Sequence, residues 1–114
     1  MSAPYSNWTK YLWYYPTKYV VWTIDTSDTS EKRFSEWLKS EKGVDRVHAI
    51  LSVYIKGLGG GLSKLALVDI MGNELDNMAS YVTEGGRFEM LAKDIVVAGS
   101  GNTGTATLIV FGIW

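Results

Sequence analysis

Val47-His48-Ala49-Ile50-Leu51-Ser52-Val53-Tyr54-Ile55-Lys56 is the stretch on which the fold turns. Val47, Ala49, Leu51, Val53 and Ile55 alternate with His48, Ile50, Ser52, Tyr54 and Lys56. A period of two over ten residues predicts a β-strand, because successive side chains leave a pleated strand on opposite faces. The same reading extends downstream. A glycine-rich loop spans residues 57–63, a strand 64–71, and Gly72-Asn73 turns the chain. Strands follow over 87–91, 94–98 and 105–114, separated by Gly85-Gly86 and by the glycine turn at 99–104. Residues 74–82, with Leu75, Met78, Ala79 and Val82, fit a short helical turn or a loop with an apolar anchor. Upstream, residues 18–25 are rich in β-branched and aromatic side chains and form another strand.

One segment has helical spacing. Asp28 is placed as an N-cap, with Glu31 three residues on as a variant of the capping box. Phe34, Trp37 and Leu38 form one apolar stripe, Lys32 and Glu36 can pair on the exposed face, and Gly43 supplies the stop. The expected helix covers about residues 29–42. One helix and several strands, with little βα alternation, predict a mainly β chain: an antiparallel β-sandwich or jelly roll. The expected organisation is an extended aromatic arm over residues 1–17 and a single β-rich domain over 18–114.

Composition narrows the function. The 114 residues are 46% apolar and 20% charged, a balance that folds. Eleven basic and twelve acidic side chains leave a formal charge of −1, which argues against a nucleic-acid partner. Cysteine is absent, so disulfide and thiolate chemistry are excluded. The N-terminal residues do not have the pattern of a signal peptide, and no run approaches the roughly 20 apolar residues of a membrane-spanning helix. The expectation is a soluble chain with no membrane span.

The motifs that could carry chemistry weaken on inspection. Gly99-Ser100-Gly101-Asn102-Thr103-Gly104 matches G-x-G-x-x-G, but Thr105-Ala106-Thr107-Leu108-Ile109-Val110 follows it as a strand. A dinucleotide site needs a helix there, whose N-terminal amides face the pyrophosphate. Residues 57–64 lack the Gly-Lys-Ser/Thr ending of a phosphate loop. His48 is the only histidine, and no G-x-S-x-G accompanies it. Asp69 sits inside the strand 64–71, Glu74 and Asp76 follow a turn and Asp94 begins a strand; capping turns and solvation are the default roles of such carboxylates. The expectation is a non-enzymatic chain without cofactor or metal.

The aromatic crowd is the strongest functional hint. Tyr5, Trp8, Tyr11, Trp13, Tyr14, Tyr15, Tyr19 and Trp22 fall within 18 residues, more than one strand edge can bury. Tyr and Trp carry an apolar body with a polar tip and are enriched where surfaces meet. Tyr5, Trp8, Tyr11, Trp13, Tyr14 and Tyr15 are therefore the candidate binding residues. They could pack on their own body, clasp a neighbouring subunit, or stack on sugar rings or bases.

The run Gly86-Arg87-Phe88-Glu89-Met90, then Asp94-Ile95-Val96-Val97, the glycine turn and Thr105-Ala106-Thr107-Leu108-Ile109-Val110 resembles the closing strands of small jelly-roll domains. Such domains recur as coat, spike or decoration proteins of phages and archaeal viruses. The resemblance spans about residues 47–114 and is one of pattern, so no functional residue carries over. It implies a virion location and a structural subunit that self-assembles, with other copies or other subunits as partners. A carbohydrate- or ligand-binding β-sandwich is the alternative.

Overall fold

In the computed structural model, which describes residues 17–114, the alternating stretch forms a strand over Ala49–Gly57 whose register shifts between Ile50 and Ser52 and again between Ile55 and Gly57. The elements run β1 (Lys18–Asp25), β2 (Lys32–Arg33), α1 (Phe34–Lys42), β3 (Ala49–Gly57), β4 (Leu62–Val68), β5 (Arg87–Ala92), β6 (Asp94–Gly99) and β7 (Thr105–Ile113). The strands form two sheets, ordered β1-β7-β3-β5 and β2-β6-β4, with every pairing antiparallel. The described residues are thus mainly β with one short helix, as the sequence predicts.

Both sheets bury one shared core. Trp22, Ile24, Ile50, Val53, Ile55, Leu108 and Val110 come from the four-stranded sheet, and Leu65, Leu67, Ile95 and Val97 from the three-stranded one. On β7 the inward residues keep strict period two: Ala106, Leu108, Val110 and Gly112. On β3 they do not. Ile50 faces Gly112, Ser52 faces Phe111 and Val53 faces Val110, so Leu51 is an extra residue, a β-bulge. The bulge moves the buried set from Ile50 to Val53 and Ile55. Strict alternation therefore does not describe the buried face: Leu51 and Ala49 are only half-buried while Ile50 is buried. A one-residue slip exchanges the faces of a strand, and side-chain alternation alone cannot locate it.

The helix starts later than its spacing predicts. Arg33 and Lys32 are extended and paired with Val96 and Val97 of β6, so helical geometry begins only at Phe34. Asp28 caps no helix. Its Oδ1 accepts from the Ser30 N–H at 3.0 Å and the Ser30 Oγ–H at 2.7 Å, closing a local turn. Lys32 pairs with Asp28 at 3.3 Å and not with Glu36. The capping acceptor comes instead from a distant strand: Asp94 Oδ1 accepts from the Ser35 N–H at 2.9 Å, and Asp94 Oδ2 accepts from the Ser35 hydroxyl. Gly43 ends the helix as expected, at φ +68°. Nine residues are too few for an independent helix in water. Burial of Phe34 and Leu38, at roughly 1.5–3 kcal/mol each, holds it on the core. Trp37, expected in the same stripe, is only half-buried and lies against Trp22 and Phe34.

Residues 74–82 are irregular, with the expected apolar anchor: Leu75, Ala79 and Val82 pack against the core. This segment also covers the edge of β4. The Leu75 N–H donates to the Leu67 carbonyl and the Met78 N–H to the Leu65 carbonyl, both at 2.8 Å. The Leu65 N–H donates to Asn77 Oδ1 at 3.0 Å. An edge strand sealed in this way cannot template another chain.

Candidate assembly surface

In β1 the even residues Val20, Trp22 and Ile24 turn inward, which sends Tyr19, Val21 and Thr23 outward. Register places Tyr19 opposite Phe111, Val21 opposite Ile109 and Thr23 opposite Thr107 on β7. Across β7, Tyr54 of β3 stands opposite Ile109, and Ser52 opposite Phe111. The outer face of the four-stranded sheet therefore carries a strip of Tyr19, Val21, Ile109, Phe111 and Tyr54. The Tyr19 and Phe111 rings lie 5.7 Å apart and tilted by 35°, a cross-strand contact in the favourable range. Tyr19 is 64% exposed and Val21 46%. A sheet with one face in water should alternate apolar with polar residues. β1 and β7 are apolar on both faces along this strip.

The rim is charged. Arg87 and Glu89 on β5 pair at 2.8 Å. With Thr17, Leu51, Ser52 and Phe111 they line an open groove beside the strip. At the far end of β1, the Ser27 hydroxyl and N–H donate to Asp25 and hold its carboxyl below the ordinary carboxylate range. An apolar centre with a charged, paired margin is the anatomy of a protein–protein contact.

The glycine loops have a structural use. Thr26 is fully buried; its hydroxyl donates to the Asn102 carbonyl at 2.8 Å and accepts from the Gly60 N–H at 3.0 Å. The amides of the G-x-G-x-x-G run are taken within the protein. Gly99 donates to Asp28, Ser100 to Gly61, and Gly101 to Thr26, at 2.9–3.0 Å, while Asn102 donates to Ser100 Oγ at 3.2 Å. Those four donors are the ones a phosphate would need. A Cβ on Gly99 would stand 2.3 Å from the Thr26 carbonyl oxygen, so glycine is required there for packing.

The acidic residues likewise have structural partners. Asp69 accepts from the Met71 and Asn73 amides at 2.9 and 2.8 Å, and those backbone bonds lower its pKa. Lys64 bridges Glu74 at 2.7 Å and Glu31 at 2.9 Å, which raises its pKa. Among the described residues, no three His, Asp or Glu side chains come together as a metal site. His48 is exposed at the entry to β3, its N–H bonded to the Ile113 carbonyl at 2.8 Å. Among these residues, too, no helix is long and apolar enough to cross a membrane.

Tyr5, Trp8, Tyr11, Trp13, Tyr14 and Tyr15 lie outside the described residues. The residues that sequence reasoning missed are Tyr19, Val21, Ile109 and Phe111 as a surface. The signal was present: 18–25 and 105–114 are apolar at both parities, which a strand with one wet face does not need. No protein-family model matches the chain, and no curated protein matches it either.

Proposed function

We propose that this chain is a non-enzymatic structural subunit that self-assembles through the outer face of its four-stranded sheet, in a virion or a comparable array. The observation that carries the reading is the strip of Tyr19, Val21, Ile109, Phe111 and Tyr54 on a face turned away from the core. Contiguous apolar surface of this kind marks interaction sites on otherwise polar proteins. The strand order supports the virion assignment. Odd-numbered strands make one sheet, β1-β7-β3-β5, and even-numbered strands the other, β2-β6-β4, an alternation in keeping with a jelly-roll reading. Residues 74–78, bonded along β4 and bridged through Glu74 to Val68, would be the eighth strand on this reading. Viral capsid subunits use this architecture.

Light scattering across a concentration series tests the reading, comparing the native chain with Val21→Glu. The expected result is an assembly that grows with concentration and is lost on placing a charge in the strip. A native chain that stays monomeric at millimolar concentration refutes it.

Carbohydrate binding is the second reading, because lectins share the architecture. It draws on the groove where Phe111 stands beside Ser52, Arg87 and Glu89, an aromatic face flanked by hydrogen-bonding groups. A glycan array decides it: binding lost in Phe111→Ala supports it, and no binding removes it.

A further inference from the structure

A sheet edge is a row of unpaired backbone donors and acceptors, and natural sheets protect theirs. Among the described residues the two sheets have four edges, and three are protected. Residues 74–78 bond along β4. β2 is only two residues long. β5 meets β3 through a register shift and carries Arg87 and Glu89. β1 has none of these devices. Its register against β7 is unbroken over eight residues, and Tyr19-Val20-Val21-Trp22-Thr23-Ile24 contains no charge, proline or glycine. The phase of that ladder fixes what the other side of β1 offers. The Thr26 N–H donates to the Gly104 carbonyl at 3.0 Å, one step beyond the Asp25–Thr105 pair. Hydrogen-bonded pairs alternate along an antiparallel ladder, so Ile24, Trp22 and Val20 bond to β7. Thr23, Val21 and Tyr19 therefore turn their N–H and C=O groups to the bare side.

A groove runs beside this edge, between β1 and the helix. Trp22 and Ile24 line one wall, and Trp37 and Glu36 the other. The remaining charges in it are engaged. Lys32 pairs with Asp28 at 3.3 Å, Glu31 with Lys64 at 2.9 Å, Arg33 stands 3.9 Å from Asp94, and Asp25 accepts from Ser27. Glu36 is in no ion pair among the described residues.

We propose that the edge of β1 binds β1 of a second copy, antiparallel about a two-fold axis at Val21. Val21 lies opposite Val21 of the second copy, and Tyr19 opposite its Thr23. The three outward N–H groups of each copy then meet the three outward carbonyls of the other. The side chains match as well. Val20 of the second copy comes beside Trp22, and its Lys18 beside Ile24, at the groove where Glu36 stands. A parallel pairing would instead set Lys18 on Lys18 and Asp25 on Asp25, like charge on like. Two four-stranded sheets become one continuous sheet, and the strip of Tyr19 and Val21 runs on across the axis. This inference rests on the self-assembly reading and names the first contact that assembly makes.

Sedimentation across a concentration series, joined to backbone amide exchange by NMR, tests it on the full chain. Tyr54→Glu charges the outer strip two strands from the edge and leaves the β1 backbone untouched. Thr23→Pro removes one outward N–H and no bond to β7, a place where an edge strand accepts proline. Tyr54→Glu alone should stop at a dimer, and Tyr54→Glu with Thr23→Pro should be a monomer. In the dimer the Tyr19, Val21 and Thr23 amides should exchange at least about 100-fold more slowly than in the diluted monomer. The Val20, Trp22 and Ile24 amides should stay protected in both, and in the proline variant they report that the sheet is folded. If that variant does not fold, the exchange pattern of the Tyr54→Glu chain decides alone. A Tyr54→Glu chain that is monomeric while the native chain assembles overturns the edge contact and leaves the outer-face reading standing. Native-sized assemblies of Tyr54→Glu with slow Tyr19, Val21 and Thr23 amides support the edge contact and remove the outer-face reading. A dimer in which those three amides exchange fast overturns the proposal. Slow exchange in the monomer does so too, because another segment of the same chain then covers the edge.

Discussion

Asp94 offers a test of how the helix is held. Its carboxylate, on a residue 8% exposed, accepts the Ser35 N–H at 2.9 Å and the Ser35 hydroxyl, 59 residues away in sequence. Replacing it with alanine removes one helix-capping bond, at about 1 kcal/mol. It also removes a hydroxyl bond to an ionised acceptor, at about 1.5 kcal/mol. Arg33, at 3.9 Å and half-exposed, adds little to this. Asp94→Ala should therefore cost about 2.5 kcal/mol, equivalent to roughly 10 °C in Tm for a domain of this size. Urea unfolding followed by circular dichroism measures it, with an unchanged slope showing that the loss is one of stability. Ser35→Ala alone should cost about 1.5 kcal/mol, and the double variant less than the sum, because the two side chains share one bond. Additive losses, with a coupling under about 0.5 kcal/mol, would refute the view that this pair ties the helix to β6.

Phe34→Ala should cost about 3–5 kcal/mol and Trp37→Ala about half as much, since Phe34 is fully buried and Trp37 is not; equal costs in urea unfolding would count against the observed helix face. Gly99→Ala, whose Cβ would meet the Thr26 carbonyl at 2.3 Å, should destabilise by about 3 kcal/mol through overpacking, and a neutral result in a thermal melt would show that the loop can shift. Asp28 is held at a pKa of about 2, against an ordinary 3.8, by the Ser30 hydroxyl, then the Ser30 N–H, then Lys32. A lowered folded-state pKa stabilises fully above pH 3.8, and that contribution disappears as pH falls toward 2. Asp28→Asn should thus be less stable than the native chain at neutral pH and converge with it below pH 2, and parallel acid-titration curves would contradict this.

Much of the architecture is legible in the sequence. Residue preference and glycine turns place β1 at residues 18–25 and locate β5, β6 and β7 to within a residue, because both signals are local. Gly43 marks the helix end for an equally local reason: the left-handed turn there favours glycine. The G-x-G-x-x-G run is distinguishable from a nucleotide site by the β-branched strand that follows it. The candidate surface was half-legible, in strands apolar on both faces.

What sequence alone determined, then, is what each short stretch prefers by itself: strand, turn and helix end. What tertiary structure decided depends on residues far apart in the chain. Pairing of Lys32 and Arg33 with β6 overrides the capping signal at Asp28 and delays the helix to Phe34. Leu51 becomes a bulge only because β7 keeps its own register beside β3. Whether an apolar strand face lies in the core, in water or under another segment is set by which elements stack on it. A strand's own side chains carry the same pattern in all three cases, so that choice belongs to the assembled sheets and not to the stretch.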